Sequence, residues 1–345
     1  MHLAPAARLQ HVSSQIARTL RSAVRRTSAL ALTAACALAA TSTFAQTAYP
    51  TKGIRILVGA PAGGSNDIFA RAIGQRVSES FKQPVVVDNR PGASQMIAAE
   101  LMAKSPPDGH VLYVSSSTYT TTAGMRPKLA FDPVADVLGI TMLGKGPMVL
   151  VVHPSLPAKS VKELLALIRA RPGQLNYTSS GIGSINHMAT EMFRIAAKID
   201  IVHIPQKGMS PAITDLIGGQ VQLLIVSLPS VEAQIKSGRL RALGVTSAKR
   251  SALVPQMPTV AESGLPGYEA ELWWGLFAPA KTPTPVVEKL NAEVRAILAT
   301  EEMKKRFGEF GAEPAPMSPE AFTALIKSEI TRWADIVTTA HIKAE

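Results

Sequence analysis

Three short stretches of this chain carry residue types suited to holding an anion. At 61–67, 179–184 and 205–210 a strand-like run ends in a turn rich in glycine or serine, and a helical pattern follows. The first backbone N–H groups of a helix have no internal partner and lie at the positive end of its dipole. Glycine in the preceding turn lets a ligand approach that backbone closely, so each stretch can receive a carboxylate or a phosphate. The first is the plainest. An apolar, β-branched run over 54–58 breaks at Gly59, Pro61, Gly63 and Gly64, after which Ile68, Phe69, Ala72, Ile73 and Val77 fall on one helical face. The alternative for the same residues is an ordinary tight turn, with Ser65 or Asn66 as helix cap and Asp67 in the first turn.

Other chemistries fail on particular residues. Gly59 and Gly64 have P-loop spacing, but Ser65 stands where a lysine must reach the phosphates and Asn66 where a hydroxyl would hold magnesium. Gly181 and Gly183 begin a dinucleotide fingerprint whose third glycine is replaced by Asn186, and no acidic residue closes the next strand. His187 and Glu191 have the i, i+4 spacing of metal ligands, yet the pattern lacks a third ligand and a base; a histidine satisfied in the first helical turn is the simpler reading. No Gly-x-Ser-x-Gly elbow presents a serine nucleophile. Asp67 and Asp215 read as helix-start acids. Trp273 and Trp274 alternate across a strand, with core the simplest environment for either ring. None of these signatures is complete in this chain.

The elements that must position these turns alternate along the chain. Strand signals at 54–58, 85–88, 110–114, 149–152, 175–178, 201–204, 221–226 and 240–246 are interleaved with helical patterns, which predicts α/β architecture with mainly parallel sheets. One helix opens on a capping box, Ser160 with Glu163, and the last on Ser318 followed by Pro319 at the first helical position. A strand at 272–277 and helices near 285–300 and 318–339 close the chain. With 345 residues, 46% of them hydrophobic, the chain can fill two cores.

Residues 1–45 read as an export signal. They hold Arg8, Arg18, Arg21, Arg25 and Arg26 and no acid, then an apolar segment over 29–40, then Thr43-Phe44-Ala45 as a cleavage site. Arg25-Arg26 loosely echoes a twin-arginine signal, and Thr33-Ala34-Ala35-Cys36 a lipoprotein box, each without a defining residue. Cleavage after Ala45 removes Cys36, the single cysteine, and with it any disulfide or thiolate chemistry. Removing five arginines also lowers the formal net charge from +11 to +6. The remaining cations are dispersed, which argues against a nucleic-acid surface, and no mature segment is apolar enough for a membrane span. An exported, periplasmic protein is the expectation.

A set of motifs in order along 49–345 resembles the extracytoplasmic solute-binding receptors of tripartite tricarboxylate transporters, the Bug family. They include Pro61-Ala-Gly-Gly-Ser-Asn-Asp67, Asp88-Asn-Arg-Pro-Gly-Ala93, Pro107-Asp-Gly109, Leu175-Asn-Tyr-Thr-Ser-Ser-Gly181, Pro211-Ala-Ile-Thr-Asp215 and Leu240-Arg-Ala-Leu-Gly-Val-Thr-Ser-Ala-Lys-Arg250. The resemblance implies a type II periplasmic-binding-protein fold: α/β, two lobes with mainly parallel sheets joined by two crossing strands. Lobe 1 would comprise 46–148 and 272–345, lobe 2 149–271. It implies a binding protein and not an enzyme, without cofactor or metal, with a small organic carboxylate as ligand, membrane permease subunits as partners, a monomer, and no nucleic acid. A periplasmic sensor and an enzyme on a two-lobed α/β fold are the alternatives. Carried over by position, the ligand residues would be Ala62, Gly63, Gly64, Ser65 and Asp67, with Ala60 ahead of them, then Ser115, Ser116 and Ser117. Lobe 2 would add Ser180, Gly181, Gly183 and Ser184, and Gln206, Lys207 and Gly208. The chain departs from the family pattern where Ala60 and Gln206 replace aromatic residues, where Val226-Ser227 lacks an acid, and where Ser94-Gln95 lacks a glycine. Loss of two rings implies a larger pocket and a ligand bulkier than a four-carbon dicarboxylate, unless neighbouring side chains fill the space.

Overall fold

β4 (Val137–Val152) runs for 16 residues, close to three times the length of an average strand, and most of it is buried. A strand buried on both faces shows no polar alternation, which is why its sequence is apolar almost throughout. At roughly 3.3 Å per residue it reaches about 50 Å, enough to serve two sheets. In the computed structural model, which describes residues 49–126, 128–339 and 342, it does so. Its first part pairs with β9 (Glu271–Pro279) as far as Pro147, and from Met148 onward it pairs with β7 (Leu223–Ser227) and, from Val149, with β8 (Arg241–Val245). The expected export signal and cleavage site, and Cys36, lie outside the described residues.

The two lobes are built on either side of that switch. On one side β1 (Ile54–Val58) lies between β2 (Val85–Asn89) and β3 (Val111–Ser116), parallel to both, and β3 continues antiparallel to β9. On the other side β5 (Asn176–Ser179) runs parallel to β6 (Val202–Pro205) and to β7. The strand order is β2-β1-β3-β9-β4-β7-β5-β6, with β8 and β10 (Glu313–Pro314) joined to β4 at the side. Parallel pairing therefore prevails among the outer strands, as the βα alternation predicts. Every antiparallel pair described involves β4 or β9, the strands that pass between lobes.

Helices cover the sheets: α1 (Ser65–Phe81), α2 (Met96–Ala103), α3 (Thr118–Met125), α4 (Val161–Ala170), α5 (Ile185–Ala197), α6 (Met209–Ile217), α7 (Glu232–Lys236), α8 (Thr284–Leu298), α9 (Glu301–Glu309) and α10 (Pro319–Thr339). The capping box holds: Ser160 accepts the Glu163 N–H at 3.2 Å, and Glu163 reaches back to the Lys159 N–H at 2.7 Å, one residue ahead of the cap. Three helices have no counterpart in the sequence reading: α3, α7 and α9. α3 is rich in threonine, a weak helix former. It forms because it lies against α10: a Cβ at Gly124 would come within 2.7 Å of the Ile330 carbonyl and of Trp333 Cβ. Its lobe has a core of Leu57, Tyr113, Tyr119, Phe277 and Phe322, and the other lobe one of Val149, Val151, Leu216 and Leu224.

Close contact also fixes the crossing strand. A Cβ at Gly146 would lie 2.4 Å from the Gly311 carbonyl oxygen, a backbone atom that cannot rotate aside. Gly146→Ala should therefore destabilise the fold by about 2 kcal/mol, as other overpacked positions do. A urea denaturation midpoint equal to that of the unaltered protein would count against this tight crossing.

Candidate functional site

The first anion-type turn is braced from inside. α1 is capped by Gly64, in extended backbone, and not by Ser65 or Asn66; no side chain caps it. A glycine there leaves the first helical amides without a competing hydroxyl. Asp67 reaches back instead, accepting the Gly63 N–H at 2.9 Å and Arg71 Nε at 3.0 Å, with Arg71 Nη2 at 2.9 Å from its other oxygen. Burial pushes its carboxyl up, but the bonds from Arg71, Gly63 and Asn89 outweigh that and hold it below the usual range. Asp67 thus acts on the turn, not as a base. Trp274 Nε1 donates to Ser65 Oγ at 3.1 Å, which leaves the Ser65 proton free to donate. Ala60 is pinned through its carbonyl by Asn89 Nδ2 at 3.0 Å, while Ala62 and Gly63 lie exposed at the rim.

β3 delivers Ser115, Ser116 and Ser117 beside it, all buried. Ser115 Oγ donates to Gln95 Oε1 at 2.7 Å, and Ser116 Oγ accepts the Thr118 N–H at 3.4 Å. The Ser117 hydroxyl is 1% exposed and has no hydrogen-bond partner among the described residues. A buried hydroxyl left unpaired is costly, so this is a position a ligand oxygen can satisfy.

The second turn crosses to meet the first lobe directly. The Gly183 carbonyl accepts Thr121 Oγ1 at 2.7 Å and Thr122 Oγ1 at 3.2 Å, and the Ile182 carbonyl accepts Ser94 Oγ at 3.0 Å. Thr118 Oγ1 lies 3.4 Å from the Ile185 N–H at the start of α5. The second turn therefore meets the first lobe at Ser94, Thr118, Thr121 and Thr122, through carbonyls and hydroxyls. Several amides of the second turn are already taken: Gly181 N–H by Ser179 Oγ, Gly183 N–H by His187 Nδ1 and His187 N–H by Ser184 Oγ. Ser180 Oγ donates to Asn186 Oδ1 at 3.0 Å. The main-chain donors left for an anion are therefore at the starts of α1, α3 and α6, none of which has a side-chain cap.

The third turn stands beside the second. The Gln206 N–H donates to the Ser179 carbonyl at 3.1 Å, and the Gln206 side-chain amide donates to Asp215, so it points away from the role of a pocket amide. Lys207 is exposed, and Gly208, at φ 130°, caps α6 with no atom within 4 Å of where its Cβ would be. Sequence reading missed Ser94, Gln95, Thr118, Thr121 and Thr122. The run of hydroxyls continuing past Ser117 was the available signal; helix propensity hid it.

His187 and Glu191 are committed elsewhere, not to a metal. Glu191 accepts the Tyr177 hydroxyl and pairs with Arg194 at 2.7 Å. The rings of Tyr177 and His203 stack at 4.6 Å and those of His203 and His187 at 4.2 Å. Among the described residues no group of three His, Cys, Asp or Glu could hold a metal ion.

A family model described as the tripartite tricarboxylate transporter family receptor (TctC) matches residues 69–342. The chain belongs to that family. BugT of Bordetella pertussis is 37% identical over 84% of this receptor and 89% of its own length. Among solved structures, R. palustris Rpa4515 with adipate is 36% identical, with TM-score 0.79 over 85% of this receptor and 98% of that chain. MatC from Rhodopseudomonas palustris with bound malate is 30% identical, with TM-score 0.75 over 84% and 100%. These relatives are solute-binding receptors and not enzymes, and the two-lobed periplasmic-binding-protein fold is theirs as well.

Burial, and for His203 also the neighbouring His187, lowers the two stacked imidazoles, His187 to about 4 and His203 to about 3. Both lie below the ordinary 6.5, so the unfolded chain binds more protons as pH falls from about 6.5 toward 4, and the receptor loses stability across that window. Its melting temperature should drop between pH 7 and pH 4, and drop less in His203→Gln. A flat profile would contradict this environment for the ring stack.

Proposed function

We propose that this receptor is a monomeric periplasmic protein that captures a small organic carboxylate between its lobes and passes it to the membrane permease subunits of a tripartite tricarboxylate-type transporter. The observation that carries the reading is the direct meeting of the 180–184 turn with Ser94, Thr121 and Thr122, which brings the carboxyl ends of both sheets to one crevice. In open α/β sheets ligands bind at that edge of the strands. The lobe limits we assign, 46–148 with 272–345 and 149–271, follow the switch of β4 from β9 to β7 and β8.

The chemistry of the crevice suits an anion without a matching buried cation. Arg71 is paired with Asp67 and Arg194 with Glu191, so the carboxylate is met by neutral donors: the uncapped start of α1, the Ser65 and Ser117 hydroxyls, and the start of α3. Hydrogen bonds to a charged group contribute about 1.5–3 kcal/mol each. Three or four of them, with burial of the carbon chain, reach the about 8 kcal/mol of a micromolar complex after the cost of closing. Exclusion of water on closure strengthens each bond. Adipate and malate in related receptors support the ligand class. Ala60 in place of a ring favours an acid longer than four carbons.

Native mass spectrometry of the exported protein should detect a co-purified organic acid, and calorimetry with a panel of carboxylates should give micromolar or tighter binding for at least one. Ser117→Ala should weaken that binding by about tenfold, the worth of one hydrogen bond to a charged group, with no loss of melting temperature in the unliganded protein. Failure of every carboxylate to bind or stabilise the protein would overturn the reading.

A further inference from the structure

Gln95 occupies a backbone position that its side chain would ordinarily avoid. Ala93, Ser94 and Gln95 lie in the left-handed region, at φ 46°, 49° and 77°, and none is glycine. Left-handed backbone is unfavourable for an L-residue, and such conformations persist where the surroundings over-determine them. Here the surroundings are the Gln95 side chain's own bonds. Its Oε1 accepts Asn66 Nδ2 at 2.8 Å and Ser115 Oγ at 2.7 Å, and its carbonyl accepts the Tyr113 hydroxyl at 3.1 Å. Room for the side chain comes from Gly59, where an added Cβ would lie 2.6 Å from Gln95 Cβ.

The two donors on Oε1 fix which way the amide faces. Its nitrogen is turned toward Ser116 Oγ, 3.4 Å away at the carboxyl end of β3. That contact is at the outer limit of a hydrogen bond. The second N–H of the amide has no acceptor among the described residues. Ser94, one residue before, donates across to the Ile182 carbonyl of the other lobe, so the amide stands where the lobes meet. It is a neutral donor polarised by the bonds to its oxygen. The helix starts and the Ser117 hydroxyl are the groups matched to the carboxylate; this amide is matched to an uncharged acceptor next to it.

We propose that Gln95 is a specificity-determining residue, whose side-chain N–H donates to a hydroxyl or keto oxygen on the carbon chain of the bound acid. The receptor thereby prefers oxygenated organic acids to their plain counterparts, because a site built to hydrogen-bond a ligand oxygen rejects the analogue that lacks it. This assignment rests on the reading of the crevice as a carboxylate site.

Two matched pairs of acids test it, succinate with malate and adipate with 3-hydroxyadipate, titrated calorimetrically into the unaltered receptor and into variants. The unaltered receptor should bind the hydroxylated member of at least one pair more tightly by about tenfold. Gln95→Gly, which the left-handed backbone favours and which should therefore stay folded, should bring that ratio close to one. Gln95→Glu keeps an oxygen for Asn66 and Ser115 but replaces the donor with a negative charge, and should weaken all four acids by more than about 100-fold; melting temperatures report that both variants are folded. If none of the four acids binds the unaltered protein, the carboxylate reading falls and this assignment with it. If they bind without preference, or with a preference that Gln95→Gly leaves unmoved, only the role of Gln95 is overturned.

Discussion

β4 gives its first part to one sheet and its last part to the other, so the two lobes share a strand and cannot be positioned independently. Because β3, which ends at Ser116, and β5, which carries Ser179, are tied to that strand through β9 and β7, the segments that follow them meet, Thr121 and Thr122 donating to the Gly183 carbonyl. Glycine at 146 allows the crossing to pass close under the Gly311 carbonyl. The site is a consequence of this crossing more than of any single residue within it.

What converges there is polar but nearly uncharged. Asp67 is paired with Arg71 and Glu191 with Arg194, each within one lobe, while Lys207 stands exposed in the third turn. A ligand that brings its own negative charge meets donors with nothing to displace except water. Direct hydroxyl-to-carbonyl bonds join the lobes, from Thr121 and Thr122 to Gly183 and from Ser94 to Ile182.

Some of this was legible in the residues. The glycine turn before α1, the Ser184 helix start and the βα alternation follow local rules, and the structure keeps them, although the strand expected at 149–152 begins at Val137. Local rules misled where a residue had two acceptable roles. Ser65 and Asn66 are both good caps, yet Gly64 holds that position, because Trp274 and Gln95 take the two side chains. The Gln206 amide was expected to face the ligand and is drawn to Asp215. α3 escaped notice because threonine disfavours helix in isolation, and only its packing against α10 reverses that preference.

By itself the sequence determined which turns could hold an anion, because a helix start and its glycines are properties of neighbouring residues. It also determined the fold class, since the period of the apolar pattern reports strand and helix directly. Only the tertiary structure decided which amides stay open and which are spent on the protein itself. That choice depends on partners far apart in sequence, such as Thr121 with Gly183, or Asn66 with Gln95 and Ser115. Hydrogen bonds between distant residues leave no period or spacing in the chain, and so they become visible only once the chain is folded.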